Sequence, residues 1–180
     1  MIPSRSDIIK KVADRMYVGR VINNTHRGDV VEMMVLLALG EGWEHVGLGW
    51  HSWDLQRGKD ATRQRIQVKQ TAALQLWDKT VSQSLSFGWK PNPPSDFHRY
   101  NPGEAIEDEG WFCELFVFGV HDETDKGVVD QADPSQWRFL VVPTSDLAPR
   151  TKTMGLAKAQ ARWKSVDWSG LRQAVEDALA

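Results

Sequence analysis

The chain has 180 residues, which suits one domain, residues 1–180, with a substantial hydrophobic core. Its 22 basic and 24 acidic side chains leave a formal net charge of −2, which argues against a protein that coats nucleic acid non-specifically. Cys113 is the single cysteine, so an internal disulfide is excluded and a reducing, cytoplasmic setting is expected. No apolar run approaches the roughly 20 residues of a membrane-spanning helix, so we expect no membrane partner.

Two helices are predicted at the start of the chain. Residues 4–17 place apolar side chains at helical spacing against charged ones, which predicts an amphipathic helix. Residues 26–39 are apolar nearly all round after the first turn, so this second helix should be largely buried. Gly40 and Gly42 follow directly and supply its stop.

Three strands are predicted next, at residues 43–48, 51–56 and 65–70. Side chains on a strand alternate between two faces, so a hairpin of the second and third strands divides polar from apolar residues. The polar face would carry Asp54, Gln67 and Lys69. The apolar face would carry Trp53, Leu55, Ile66 and Val68.

Helical spacing returns at residues 71–85, with Trp77 in the apolar stripe, and a long irregular segment rich in proline and acid follows at 90–110. The remaining predicted elements are strands at 111–120 and 136–142 and amphipathic helices at 155–166 and 169–179. Strands interleaved with helices indicate the α/β or α+β class, with helices on the faces of a sheet.

Glu32 is unusual because its helix is otherwise apolar. An ionised carboxylate flanked by Val31 and Met33 is costly to bury unless it is paired or binds a metal. Gly28 lies four residues earlier on the same helical face, where the lack of a side chain would let a backbone or a ligand approach. The alternative is that Glu32 lies near the helix start, favoured by the helix dipole and facing water.

Asp54, Gln67 and Lys69 together predict a cation site. Strand acids and lysines are individually often solvated or salt-bridged, so their shared face is what matters. Mg²⁺ takes oxygen ligands, here the Asp54 carboxylate, the Gln67 side-chain carbonyl and the Val68 backbone carbonyl. Lys69 would stand beside the ion as a positive donor. Phosphodiester hydrolysis requires such parts, namely a metal and a cation near the reacting oxygens.

These residues resemble a known family. The chain is similar to the PD-(D/E)xK (restriction endonuclease-like) nucleases, nearest to the branch of Holliday-junction resolvases and Mrr-like enzymes, in the pattern Arg27-Gly28-x-x-x-Glu32, Gly42-Trp43, Asp54 and Gln67-x-Lys69. The resemblance implies an α/β fold with an α-β-β-β-α-β core over residues 26–120 and a mixed central sheet flanked by helices. An extra helix would precede this core, and a strand and helices at 136–180 would follow it.

The resemblance also implies a function and the roles of four residues. The chain would be a DNA endonuclease of the restriction or DNA-repair type, dependent on Mg²⁺ or Mn²⁺ and expected to act as a homodimer. Asp54 would be the central metal ligand and Gln67 the second, Lys69 the catalytic lysine, and Glu32 an acid that binds metal or an ordered water.

Two departures from the family pattern leave alternatives open. No proline precedes Asp54, and Gln67 stands where a second acid is usual, which removes one negative charge from the ligand set. A nuclease fold that only binds partners, with weak or no catalysis, is therefore the second interpretation. A structural α/β protein with a coincidental motif is the third, and it alone would remain if Glu32, Asp54 and Lys69 lay far apart.

A basic cluster surrounds the predicted hairpin tip. It consists of Arg57, Lys59, Arg63 and Arg65. Surface charge of this kind is commonly a solvated turn. Beside the predicted site it would form a local phosphate-binding patch, which reconciles DNA binding with a chain of net negative charge.

Overall fold

A mixed β-sheet with helices on both faces organises the chain. The computed structural model describes residues 2–47, 51–59, 62–76, 81–82, 84–88, 91–100, 107–148 and 152–180. Its helices are α1 (Arg5–Tyr17), α2 (Asn24–Leu39), α3 (Pro94–Tyr100), α4 (Leu156–Arg162) and α5 (Leu171–Leu179). Its strands are β1 (Trp43–His45), β2 (Leu55–Arg57), β3 (Gln64–Ala72), β4 (Ser86–Gly88), β5 (Leu115–His121), β6 (Arg138–Pro143), β7 (Thr153–Gly155) and β8 (Ser165–Val166).

Six strands form the central sheet, in the order β1-β2-β3-β5-β6-β8. Strand β3 runs parallel to β5, and every other neighbouring pair in this sheet is antiparallel. All seven residues of β5 are buried, as expected for a central strand whose two faces are both covered. The predicted α/β class with a mixed central sheet flanked by helices is therefore confirmed.

Each face of the sheet has its own hydrophobic core. On one face, α2 and α5 pack against alternate residues of the central strands, with Val35, Leu55, Ile66, Val117 and Val175 in contact. On the other face, the core contains aromatic side chains of β5 and residues of α3, α4 and the separate β4-β7 ribbon. This second core includes Trp53, Phe87, Phe97, Phe116, Phe118, Met154 and Trp163.

The helix predicted at residues 71–85 is wrong over the part that the structure describes. Strand β3 continues to Ala72, and residues 73–76, 81–82 and 84–85 are not helical; Trp77 lies outside the described residues. Pairing of β3 with β5 through Ala72 and His121 outweighs the local helical spacing. The helix before β5 is α3, within the segment at 90–110 that the sequence presented as irregular.

Other element boundaries shift without changing the order. The predicted strand at 111–120 begins at Leu115, and the strand at 43–48 ends at His45 within the described residues. The helix predicted at 155–166 ends at Arg162, because Ser165–Val166 pairs with β6 as an edge strand. No helix of the described residues is long and apolar enough to cross a bilayer.

Helix α2 is buried on one side only. Val31, Val35 and Leu39 are fully covered, whereas Leu37 is 72% exposed and Met33 is also exposed. The prediction of a largely buried helix therefore holds for one side of α2 only. Nothing approaches Gly28 either, since a Cβ atom there would meet no atom within 4 Å. The predicted close approach at Gly28 is absent from the described part of the chain.

Candidate active site

The four residues predicted to form a site line one cavity. Glu32 comes from α2, Asp54 from the residue before β2, and Gln67 and Lys69 from β3. The cavity has a volume of about 500 Å³. Its other lining residues are mainly polar: Thr25, Asp29, Gly47, His51, Ser52, Asn92 and Asp96.

Asp54 lies where strands β2 and β3 separate, a point that we call the fork. Its backbone N–H donates to the Ile66 carbonyl at 2.9 Å, which is the last main-chain bond on this side of the β2-β3 pair. At the next position the Asp54 side chain replaces the strand, because its Oδ2 accepts the Val68 N–H at 2.7 Å. The carboxylate therefore caps a β-ladder and faces the space that opens beyond it.

A β-bulge in the chain after β1 fixes Asp54 from the other side. The N–H groups of Val46 and Gly47 both donate to the Asp54 carbonyl, at 2.9 and 3.1 Å, so two residues oppose one. A Cβ atom on Gly47 would lie 3.0 Å from Asp54 Oδ1 and 3.1 Å from its Cα. Any residue other than glycine at position 47 would crowd the Asp54 carboxylate.

The predicted second strand lies at different residues in the structure. That strand was expected at 51–56 but is Leu55–Arg57, and residues 51–54 lie outside it. Leu55 packs with Ile66 and Val68 as predicted, whereas Trp53 packs on the opposite face of the sheet. Strict alternation fails here because the chain bends at Asp54, and a bend of this kind cannot be inferred from period-two spacing.

Glu32 shares its carboxylate with a histidine. Its Oε2 lies 2.8 Å from His45 Nε2 at the end of β1, and both side chains are about one-fifth exposed. Burial, and next the negative charge of Asp54, raise the pKa of Glu32 to about 7, although the His45 hydrogen bond opposes this shift. Glu32 is therefore held near the site, and the water-facing alternative at the helix start does not describe it.

Burial likewise raises the pKa of the Asp54 carboxyl. Lys69 opposes this shift most strongly, followed by the Val68 N–H and by His45 and His51. Two carboxyl groups with raised pKa values and a lysine thus occupy one pocket. Clustered groups of this kind are characteristic of functional sites, because a ligand is needed to stabilise the charges.

The oxygen donors at the cavity fit a hard divalent cation whose remaining ligands would be waters and substrate phosphates. Among the described residues, no three His, Cys, Asp or Glu side chains converge closely enough to hold an ion by themselves. Mg²⁺ commonly binds through one or two carboxylates, with waters and substrate phosphates as further ligands. Asp54, Glu32 and the Gln67 side-chain carbonyl offer such a set. The Val68 carbonyl faces the fork too, since its N–H points there and both groups of a strand residue face the same neighbour.

Arg27 fixes α2 against β3 and thereby places Glu32 opposite Gln67 and Lys69. The guanidinium is fully buried and makes five hydrogen bonds, all to uncharged oxygens. Its partners are the side chains of Asn24, Gln70, Gln75 and Gln131 and the carbonyl of Ile22. Burial lowers the pKa of Arg27 to about 10, so it remains charged near neutral pH.

Two members of the basic cluster have structural partners. Arg57 forms a bidentate pair with Glu176 of α5, at 2.6 and 2.8 Å, and its guanidinium stacks on Trp43. Arg65 pairs with Glu114, and its Nη2 lies 2.6 Å from Oε1. These contacts tie the hairpin to the rest of the fold and neutralise both charges.

The other two members lie closer to the hairpin tip. Lys59 is exposed, and the Arg63 guanidinium lies over the Trp53 ring, 5.9 Å from the ring centroid. The role of all four basic residues in DNA binding stays a prediction. Of the four, Arg57 and Arg65 form ion pairs with Glu176 and Glu114, and Lys59 is exposed.

Three residues at the site escaped sequence reasoning. His45 and Gly47 lie in the predicted first strand, and their contacts depend on a bulge that no local pattern announces. Arg27 was visible beside Gly28 in the family-like motif, but its buried network comes from distant segments. The signal available for Arg27 was a charged residue in the buried stripe of a helix, the same signal that identified Glu32.

Comparison of the chain with protein-family models, with curated protein sequences and with solved structures returns no match. The proposed function therefore depends on the chemistry and geometry of this chain.

Proposed function

We propose that the protein is a metal-dependent nuclease that hydrolyses DNA phosphodiester bonds at the β2-β3 fork. The observation that carries the proposal is the convergence of Glu32, Asp54, Gln67 and Lys69 on one polar cavity. These residues come from three elements, and they were selected from the sequence because phosphodiester hydrolysis needs their chemistry. Had these residues lain far apart, only the third interpretation, a coincidental motif, would have remained.

The order of elements supports the proposed relationship to the restriction endonuclease-like fold. Helix α2, strands β1, β2 and β3, helix α3 and strand β5 follow one another as α-β-β-β-α-β, with the short strand β4 inserted before α3. Strands β5 and β3 are parallel neighbours, and Gln67 and Lys69 lie on β3. The predicted C-terminal extension adds β6 and β8 to the sheet and α5 beside α2.

The metal would be held by Asp54 and the Gln67 carbonyl, with Glu32 and the Val68 carbonyl as further oxygen donors. When bound, Mg²⁺ or Mn²⁺ would neutralise charge on the phosphate oxygens and lower the pKa of a bound water. Val68 N–H keeps the Asp54 carboxylate at the fork, and Gly47 leaves it room there. The chain therefore presents its oxygen donors already oriented.

The remaining groups have distinct tasks in the hydrolysis. Lys69 donates a hydrogen bond to a non-bridging phosphate oxygen and stabilises the negative charge that grows there. Glu32 would accept the proton that the attacking water loses as its oxygen bonds to phosphorus, a task that its pKa of about 7 suits, and the leaving oxygen takes a proton from solvent as its P–O bond breaks. His45 fixes the Glu32 carboxylate through Oε2, so Oε1 is directed elsewhere.

DNA would approach from the hairpin side of the cavity. Lys59 is the first proposed phosphate contact within the basic cluster, because it is exposed at the hairpin tip, whereas Arg57 and Arg65 are engaged by Glu176 and Glu114. A small number of local contacts is compatible with a chain of net charge −2. A DNA substrate also fits the expected cytoplasmic location, in which the buried thiol of Cys113 stays reduced.

A nuclease fold retired from catalysis is the second candidate. Gln67 favours it, because an amide carbonyl binds a divalent cation more weakly than a carboxylate does. In that case the cavity would still bind a partner or nucleic acid, but it would not catalyse metal-dependent hydrolysis.

Cleavage assays on plasmid, four-way junction and single-stranded DNA, each with Mg²⁺ and with Mn²⁺, test the proposal. We expect Asp54→Asn and Lys69→Ala to reduce the rate by roughly 10²-fold to 10³-fold, because each removes a group that stabilises the transition state. Lys126→Ala, in an exposed loop, is the matched control and should cleave like wild type. Equal residual activity in all four proteins would reject the site, and inactivity of wild type on every substrate would favour the retired fold.

A further inference from the structure

Helix α1 carries an apolar stripe that the chain itself leaves uncovered. Ile8, Val12 and Met16 recur every fourth residue, with Ile9 beside them, and these side chains are 39–52% exposed. No residue of α1 is buried, although Ser4 and Asp7 close a complete capping box at its start. The sequence therefore encodes a well-defined amphipathic helix whose apolar side is not buried by any part of the chain that the structure describes.

Such a helix needs a partner surface to be stable. Isolated helices of about 12 to 15 residues are marginal in water, and most helix stability in proteins comes from packing of the apolar face. Helix α1 has 13 residues, so it lies in this marginal range. The chain after α1 is fixed to the domain, since Arg20 bonds to Gly127 and Gln131. Helix α1 is thus presented at a defined place.

The exposed apolar surface continues onto α2. One groove is lined by the α1 stripe, and a second is lined by Tyr17, Val30, Met33 and Leu37. Met16 of the first groove and Tyr17 of the second are consecutive residues at the end of α1. Of the large hydrophobic side chains that are exposed among the described residues, most lie in α1, in its flanking residues or on α2. Contiguous apolar surface of this kind marks an interaction site.

The charges beside the stripe are self-complementary. Asp7, Lys11 and Arg15 form one row along the edge of the α1 groove. In two copies of α1 packed antiparallel about a two-fold axis at Val12, Ile8 lies opposite Met16. The same axis places Asp7 of each helix beside Arg15 of the other, which gives two ion pairs. Lys11 lies at the middle, where its long side chain can extend into water.

From this geometry we propose that α1, with the adjoining face of α2, is the surface on which two copies of the chain dimerise. The closed two-fold arrangement pairs every charge at the ends of the row and covers the stripe. A helix that lies on a lipid surface would instead carry a polar face dominated by Lys and Arg. Helix α1 mixes the two signs, and Lys10 pairs with Asp14 on its polar face. The proposal is independent of the proposed nuclease activity.

Light scattering after size-exclusion chromatography tests the surface directly. Wild type should show twice the 20.4 kDa mass of the chain. Val12→Asp places a charge in the middle of the stripe and should give monomers. Val128→Asp is the control for an added charge, because Val128 is about as exposed as Val12 but lies outside α1 and α2 and lines neither groove, and it should remain dimeric. A monomeric wild type, or a dimeric Val12→Asp, would overturn the proposal.

Charge reversal tests the antiparallel pairing. Asp7→Arg and Arg15→Asp should each dissociate roughly tenfold more readily, because each places like charges opposite one another. An equal mixture of the two variants should recover wild-type association, since both pairs between positions 7 and 15 are again of opposite sign and Lys11 is unchanged. The Asp7→Arg variant lacks the capping box both alone and in the mixture, so the helix cap cannot account for this recovery.

Absence of recovery in the mixture would overturn the antiparallel arrangement and with it the proposal. Sedimentation with vesicles of anionic phospholipid distinguishes the lipid alternative. We expect wild type to stay in the supernatant, whereas a monomer that sediments with the vesicles would assign α1 to a membrane surface and overturn the dimer.

Discussion

Helix α2 carries two buried charges that are stabilised in opposite ways. Arg27 is completely enclosed, and five hydrogen bonds from its own chain satisfy it. Glu32, five residues later, opens onto the cavity and has His45 as its hydrogen-bond partner, with a second carboxylate, Asp54, near enough to raise its pKa. The protein's own hydrogen bonds satisfy the charge of Arg27. Full compensation of the charge of Glu32 would need a ligand.

This difference separates structural from functional burial. A buried charge is costly unless hydrogen bonds or an opposite charge compensate it. Arg27 receives that compensation from β3, from the start of α2 and from the loop at Gln131. At the fork, the charge of Lys69 acts on Asp54, and Glu32 has His45 as its partner. The pKa values of both carboxyl groups are nevertheless raised, so the protein compensates these charges incompletely. A divalent cation would correct this imbalance.

Removal of the Arg27 guanidinium should have the largest effect on stability. We expect Arg27→Met to lower the free energy of unfolding by about 3 kcal/mol, because it leaves buried amide and carbonyl oxygens without donors. Denaturant unfolding measures the change. In the part of the protein that remains folded, Mn²⁺ affinity should fall far less than stability does, since Arg27 does not line the cavity.

The control for this variant is Lys158→Met, which removes an exposed positive charge on α4 and should leave stability unchanged. If Arg27→Met were as stable as this control, the network would not hold α2 in place. Arg27 would then not be a charge that stabilises the fold, and its contrast with Glu32 would not hold.

The Glu32 carboxyl should make stability depend on pH. Its pKa is about 7 in the folded protein, against an ordinary value near 4.5, so the folded state binds more protons between these values. Without a divalent cation, the Glu32 contribution to stability is fully present below pH 4.5 and is lost as the pH rises through 7. The loss is roughly 2 to 3 kcal/mol.

Glu32→Gln isolates this contribution, because the amide does not titrate. The difference in unfolding free energy between wild type and Glu32→Gln, measured from pH 4.5 to 8, should shift steadily in favour of the variant. The buried His121 has a lowered pKa and acts in the opposite direction, but it is common to both proteins and cancels in the difference. A difference that does not change with pH would show that the site does not raise the pKa of Glu32.

A methyl group on Gly47 should weaken metal binding without unfolding the protein. The Cβ atom of Gly47→Ala would lie 3.0 Å from Asp54 Oδ1 and would displace the carboxylate. Support residues of metal sites typically contribute about 10-fold to 100-fold in affinity, and we expect a loss of Mn²⁺ affinity in that range. Gly88→Ala is the control, because its Cβ atom meets open space. Equal affinities of the two variants would contradict the role of the bulge.

The smallest expected effect is a gain at Gly28. A Cβ atom there meets nothing within 4 Å, and glycine within a helix costs about 0.5 to 1 kcal/mol relative to alanine. Gly28→Ala should therefore stabilise the protein by that amount and leave Mn²⁺ affinity unchanged, as thermal unfolding and calorimetry would show. A loss of stability or of metal binding would mean that a ligand or a backbone segment approaches this position after all.

The site was more predictable from sequence than the elements around it. Glu32 stood out as a carboxylate in an apolar helix, whereas Asp54, Gln67 and Lys69 were selected by their shared strand face and their family-like spacing. The helix at 71–85 failed because its local spacing competes with strand pairing that extends to Ala72. The bulge at Gly47 and the enclosed Arg27 depend on distant contacts, which leave no periodic trace.

The central claim is that the fork between β2 and β3 binds a divalent cation through Asp54. Calorimetric titration of wild type and Asp54→Asn with Mn²⁺ tests it most directly, because it needs no substrate. We predict one saturable site per chain in wild type and none in Asp54→Asn, with Lys126→Ala titrating like wild type. The same saturable isotherm in Asp54→Asn and wild type, or no binding in either, would contradict the account.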